Sequence, residues 1–179
     1  MAHLCASGVC ELIYVAIYLC YNEEGTDERT LHWLENLELV QSIEYLGDYG
    51  FGLELLYAGS TMDVEAAYTN TGVLYFRLYI QDESLTSSEL ANEIVEGYYA
   101  KTPGRFAIAE ANMVDDIVTI SCWVPIYAPE HYFRDELADF LEEHLNASLM
   151  KFCMDCAEIY RAVIGDPTAF YEDQDIGRA

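Results

Sequence analysis

In 179 residues, 32 aspartates and glutamates face 8 lysines and arginines, for a formal net charge of -24 at pH 7. Like charge at this density repels nucleic acid and anionic membrane and favours basic protein surfaces. A 53% hydrophobic composition excludes a disordered chain, which would pair high charge with few apolar residues.

The length suits one domain with a full core, or one domain with an appended element, so residues 1–179 are read as a single domain. Residues 1–22 carry one charge, Glu11. The run from Glu11 to Tyr21 is either a strand covered on both faces or a core helix, since periodicity does not arbitrate a short apolar run. Leu12 to Tyr21 is about half of what a bilayer span needs, and no Lys or Arg precedes it as in a signal peptide, so a cytoplasmic protein is expected. Asn22-Glu-Glu-Gly25 breaks the run. Thr26 or Asp27 then caps a helix with the stripe Trp33, Leu34, Leu37 and Val40, which loses phase after about Gln41.

From Phe51 the period changes to two. Phe51, Leu53, Leu55 and Tyr57, then Met62, Val64, Ala66 and Tyr68 after a Gly59-Ser60 turn, predict a hairpin. A turn at Asn70-Thr71-Gly72 leads to Val73–Ile80, with Leu74, Phe76, Leu78 and Ile80 on one face and Val73, Tyr75, Arg77 and Tyr79 on the other. Thr86-Ser-Ser-Glu89 is a capping box opening a helix through Leu90, Ile94 and Tyr98 to Pro103-Gly104. Strands at about Arg105–Met113 and Ile117–Val124 follow. Pro129 suits a first helical turn, and Phe133, Leu137, Phe140, Leu141 and Leu145 trace one helical face. Leu149, Phe152, Cys153, Cys156, Ile159, Tyr160 and Val163 continue it to Gly165-Asp166-Pro167. An unbroken helix of this length would be about 50 Å long, so a bend near Asn146–Ser148 or an interface is expected.

The order from Phe51 onward, and within it Leu85-Thr-Ser-Ser-Glu-Leu-Ala-Asn-Glu-Ile94, Gly104-Arg105-Phe106 and the Phe133–Leu145 helix running toward Phe152, resembles the type III secretion chaperone-like fold, especially its YbjN-like branch. The pattern covers about residues 50–152. Residues 1–46 form an N-terminal extension to it, 153–165 a helix extension and 166–179 a tail. The resemblance implies a small, acidic, non-enzymatic dimer that holds a segment of a partner, and it carries over no catalytic residue.

Chemistry-bearing patterns are sparse. Cys153-Met-Asp-Cys156 has redox or half-zinc spacing, but it falls inside an apolar stripe, where cysteines act as small hydrophobes. A four-thiolate zinc site would have to recruit Cys5 and Cys10, and Cys20 and Cys122 read as buried. His3, His32, His131 and His144 do not pair as ligands. The acidic doublets Glu23-Glu24, Asp115-Asp116, Asp135-Glu136, Glu142-Glu143 and Glu172-Asp173 are expected in a chain with so many acids. Neither a nucleophile elbow nor a phosphate loop is present.

The sequence therefore predicts an α+β protein with a mainly antiparallel sheet of about five strands, packed by helices on one face. No cofactor, metal or catalytic group is expected. The expected function is non-catalytic binding of a partner protein segment, chaperone- or adaptor-like, through Tyr75, Arg77 and Tyr79 and an acidic ridge of Asp135, Asp139, Glu142 and Glu143. The partner would carry a basic or amphipathic surface, with neither nucleic acid nor membrane bound directly. The long C-terminal stripe suggests a homodimer. Two alternatives share the same charge: a nucleic-acid mimic that blocks a DNA-binding defence protein such as a restriction or CRISPR nuclease, and a halophile's solubility surface.

Overall fold

The computed structural model describes residues 26–47, 50–69, 72–101, 104–114, 116–127, 138–166 and 169–170. Along the chain it runs α1 (Thr26–Glu35), β1 (Val40–Tyr45), β2 (Phe51–Tyr57), β3 (Ser60–Tyr68), β4 (Val73–Ile80), α2 (Ser88–Lys101), β5 (Ile108–Val114), β6 (Ile117–Tyr127) and α3 (Ala138–Val163). The strands form one sheet in the order β1-β2-β3-β4-β6-β5, with β1-β2, β2-β3 and β5-β6 antiparallel. The α+β class is as expected, with six strands among the described residues rather than about five. The chain divides into two compact units, residues 1–75 with 125–146 and residues 76–124 with 147–179.

The additional strand is β1, where a helical stripe was expected to run on through Val40. The helix instead ends at Glu35, and Leu37, buried, lies in the connection. Pairing of β1 with β2 shifts register between Val40 and Ser42. Such a bulge places an extra residue in one strand and resets its alternation, so the less exposed residues Val40 and Ile43 fall three apart. With Leu37 they mimic helical spacing.

In the first unit, β2 and β3 pair residue for residue from Phe51↔Ala66 to Tyr57↔Ser60. The turn is Ala58-Gly59, one residue earlier than expected, with φ of 50° and 81°. Two positive φ values give the turn the twist that matches paired strands. Phe51, Leu53, Leu55, Val64, Ala66 and Tyr68 are buried along one face of the hairpin. The Asn146 side-chain oxygen of α3 accepts the Glu38 backbone N–H at 2.9 Å, tying the α1–β1 connection to that helix.

In the second unit, α2 starts one residue later than the expected capping box. Ser87 is the cap, its hydroxyl accepting the Leu90 N–H at 3.2 Å, and Glu89 falls in the first turn. Its carboxyl is held below its usual range by its own backbone N–H and the Ser87 hydroxyl. Strand β6 is longer than expected and contains Pro125. That proline lies beyond Trp123, the residue paired with the start of β5 at Ile108. The interior takes Phe76, Leu78 and Ile80 from β4, Ile120, Cys122 and Val124 from β6, Ala91, Ile94 and Tyr98 from α2, and Leu149, Phe152, Cys153, Cys156, Ile159 and Val163 from α3.

Helix α3 passes through Asn146–Ser148 without a break in its 26 residues, about 39 Å of axis. It ends as its sequence predicts: Gly165 adopts a left-handed φ of 77°, and the Asp166 N–H closes on the Arg161 carbonyl at 2.9 Å, the usual glycine-terminated helix stop. Of the C-terminal stripe that suggested a homodimer, Leu145, Leu149, Phe152, Cys153, Cys156, Ile159 and Val163 are each at most 3% exposed, whereas Tyr160 is 44% exposed. The apolar run before Tyr21 lies outside the described residues, as do Phe133 and Leu137.

Candidate functional site

Antiparallel residues directly opposite one another project to the same face of a sheet. The β1-β2-β3 register therefore assigns each paired side chain of this meander to one of two faces. Phe51, Leu53 and Leu55 share the buried one. The other carries two transverse rows, Glu44-Gly52-Glu65 and Ser42-Glu54-Asp63. Glu44, Glu54, Asp63 and Glu65 are all exposed, so four carboxylates stand on one open sheet face with no cation among them in either row.

Glu54 and Asp63 are direct cross-strand partners, a like-charge pairing that opposes sheet formation by up to about 1 kcal/mol. The Ser42 hydroxyl donates to Glu54 Oε2 at 3.3 Å, which satisfies one oxygen without neutralising it. Glycine at position 52 puts no side chain of its own between Glu44 and Glu65, and the Leu46 side chain lies over it. A Cβ there would meet Leu46 and Glu44 atoms only at ordinary contact distances of 3.6–3.8 Å, so packing does not force the glycine.

The binding residues expected from sequence are placed as follows. Tyr75, Arg77 and Tyr79 alternate with the buried Leu74, Phe76, Leu78 and Ile80 along β4, as predicted. Arg77 donates to the Tyr79 hydroxyl at 2.9 Å, and its guanidinium lies 5.8 Å from that ring's centroid. The two side chains thus form one cation–aromatic unit, while Tyr75 and Arg77 themselves are half-buried. Of the acidic ridge, Asp135 lies outside the described residues and Asp139 falls in the first turn of α3. Glu142 is half-buried and Glu143 exposed on the same helix.

The sequence reading did not single out Glu44, Glu54, Asp63 and Glu65. The signal was partly available, because alternation in β2 and β3 already puts Glu54, Asp63 and Glu65 opposite the apolar set. Their alignment needed the turn at Ala58-Gly59, and Glu44 needed a strand that the pattern concealed.

Convergent titratable groups inside the second unit serve the fold. Asp155 Oδ2, on α3, accepts the Phe106 N–H at 2.6 Å, the Ala107 N–H at 2.7 Å and approaches the Tyr98 hydroxyl at 2.8 Å. The same hydroxyl lies 2.9 Å from the Ala107 carbonyl oxygen. This explains why β5 begins at Ile108 and not at Arg105: the preceding amides are turned toward a carboxylate. Burial, reinforced by Asp155, pushes the Tyr98 phenol well above its ordinary value, so it stays a proton donor.

Cys122, Cys153 and Cys156 are buried free thiols. Burial pushes Cys153 up to about 12 and raises Cys156, which also contacts Cys122. Raised thiols are poor nucleophiles and poor metal ligands. Among the described residues no group of three or more His, Cys, Asp or Glu is placed to hold a metal ion. His32 and His144 are exposed, while His3, His131, Cys5, Cys10 and Cys20 lie outside the described residues.

No protein-family model and no curated protein matches the chain. Solved structures do. An uncharacterized protein from Methanothermobacter thermautotrophicus aligns with a TM-score of 0.51 at 8% identity, over 77% of this chain and 96% of that one. YbjN, a proposed transcription regulator from E. coli, aligns with a TM-score of 0.41 at 13% identity, over 73% of this chain and 92% of that one. The likeness to the archaeal protein is one of fold. No helix among the described residues is long and apolar enough to cross a membrane.

Proposed function

We propose that this protein is a non-catalytic binding module, adaptor- or chaperone-like, that holds a basic segment of a partner protein against the open face of β1-β2-β3. The observation that carries this reading is the register that aligns Glu44, Glu54, Asp63 and Glu65 on one exposed face. Opposed carboxylates such as Glu54 and Asp63 lower stability in the free protein, and a bound Lys or Arg side chain turns that repulsion into attraction. The non-catalytic part draws support from the interior groups: Asp155 Oδ2 is engaged by two backbone N–H groups and Cys153 retains its proton.

The test is calorimetric titration with a short polylysine at low salt, comparing two variants of equal net charge. One is Glu54→Gln/Asp63→Asn/Glu65→Gln on the sheet face. The other is Glu89→Gln/Glu93→Gln/Glu96→Gln, exposed positions on α2. At about 0.5 kcal/mol per exposed ion pair, the sheet variant should bind about tenfold more weakly, and the helix variant should stay near the parent. Equal weakening of both would reduce the interaction to net charge alone. Displacement of duplex DNA from a basic nuclease, lost at high salt, would instead identify the partner surface as a nucleic-acid groove.

A further inference from the structure

Strands β1 and β5 stand at the two ends of the strand order. At the start of β5, side chains occupy the backbone groups of Ala107 and Ala109. Ala107 gives its N–H to Asp155, and its carbonyl oxygen faces the Tyr98 hydroxyl. Ala109 gives its N–H to the Tyr99 hydroxyl at 2.8 Å, and the same hydroxyl lies 3.1 Å from the Ala109 carbonyl oxygen. Tyr99 thereby supplies both hydrogen bonds that a neighbouring strand would supply. Strand β1 stands at the other end of the sheet order, with β2 as its strand neighbour.

An outer strand is a template for a further strand, and what it accepts depends on the side chains flanking the edge. On β1, Ser42 and Glu44 project to the acidic face, while Ile43 and Tyr45 project to the other. Tyr45 is 59% exposed, with its ring 5.7 Å from that of Phe51. A strand added about 4.8 Å beyond β1 would lay alternate residues beside Glu44, within reach of Glu54 for a long side chain, and the intervening residues beside Ile43 and Tyr45. The complementary pattern is therefore basic at every second position and apolar between. A second copy of this chain is a poor occupant, since its own β1 would set a second acidic face beside this one between two molecules of net charge -24.

We infer that the β1 edge, Val40–Tyr45, takes up by strand addition an extended segment of another protein in which lysine or arginine alternates with apolar residues. This rests on the reading above that the acidic face holds a basic partner, and it adds the backbone conformation and the residue pattern of that partner.

The experiment uses the full chain and two fluorescein-labelled hexapeptides, read by fluorescence anisotropy at low salt. One alternates lysine and valine. The other has the same side chains with every backbone amide N-methylated, so that charge is kept and strand pairing is abolished. The unmodified peptide should bind at least about tenfold more tightly. It should also slow amide exchange in Gln41–Tyr45 and lose affinity severalfold to Glu44→Gln/Glu54→Gln. Equal affinity of the two peptides, or unchanged exchange in β1, overturns strand addition while leaving the acidic-face reading standing. Failure of both peptides and of polylysine to bind overturns both.

Discussion

Asp155 shows how a residue unremarkable in a sequence comes to organise a fold. Its partners Tyr98, Phe106 and Ala107 lie 57, 49 and 48 residues away, and no local pattern distinguishes it from the other acids of the chain. Tyr98, by contrast, was legible as a core position from its spacing with Leu90 and Ile94, though its hydroxyl's role was not. Replacing Asp155 by alanine removes the acceptor for two backbone amides at the entrance to β5. Charge-assisted hydrogen bonds of this kind contribute about 1.5–3 kcal/mol and leave unsatisfied donors when lost, so Asp155→Ala should destabilise by about 3 kcal/mol. Asp155→Asn keeps one acceptor oxygen and should cost about half as much. Urea unfolding of both variants checks the order, and an Asp155→Ala midpoint equal to that of the parent would mean the amides find other partners.

Among elements, legibility followed the regularity of the hydrophobic period. Strand β4 and the α3 stripe were clear from alternation and from three- and four-residue spacing. Strand β1 was hidden because its bulge converts a strand period into the three-residue spacing of Leu37, Val40 and Ile43. Helix α3 makes the strongest demand on pH. Cys153 would ordinarily ionise near 9.0 and is pushed up to about 12 by burial. Cys156, on the same seam, and Tyr98, which bonds Asp155, are also raised. A group whose folded value is raised keeps its proton longer in the native state than in the unfolded chain. Stability is then fully present below the unfolded value and is lost as pH climbs toward the folded one. The urea midpoint should stay level from neutral pH to about 8.5 and fall above 9. Cys153→Ala should flatten that fall while lowering the neutral-pH plateau by about 1–2 kcal/mol for the lost buried sulfur. A midpoint unchanged up to pH 11 would show that these thiols ionise without unfolding the seam.

At the scale of the whole molecule, the acid excess acts on folding and on binding with opposite sign, and salt separates the two. A net charge of -24 repels itself in the compact state, where carboxylates such as Glu54 and Asp63 are held opposite one another. The screening length shortens from about 30 Å at 0.01 M ionic strength to about 8 Å at 0.15 M, so salt should stabilise the fold, raising the calorimetric Tm by several degrees over that range. The same screening weakens attraction between the acidic face and a basic segment, so affinity for the lysine–valine peptide should fall about tenfold or more as Tm rises. A surface kept acidic for solubility alone predicts the rise in Tm without any peptide affinity to lose. Strand addition predicts in addition a residue that salt does not remove, because backbone hydrogen bonds and the apolar contacts at Ile43 and Tyr45 are insensitive to screening. At high salt the unmodified peptide should therefore still bind more tightly than its N-methylated counterpart, and simultaneous loss of both would leave electrostatics as the sole source of the interaction.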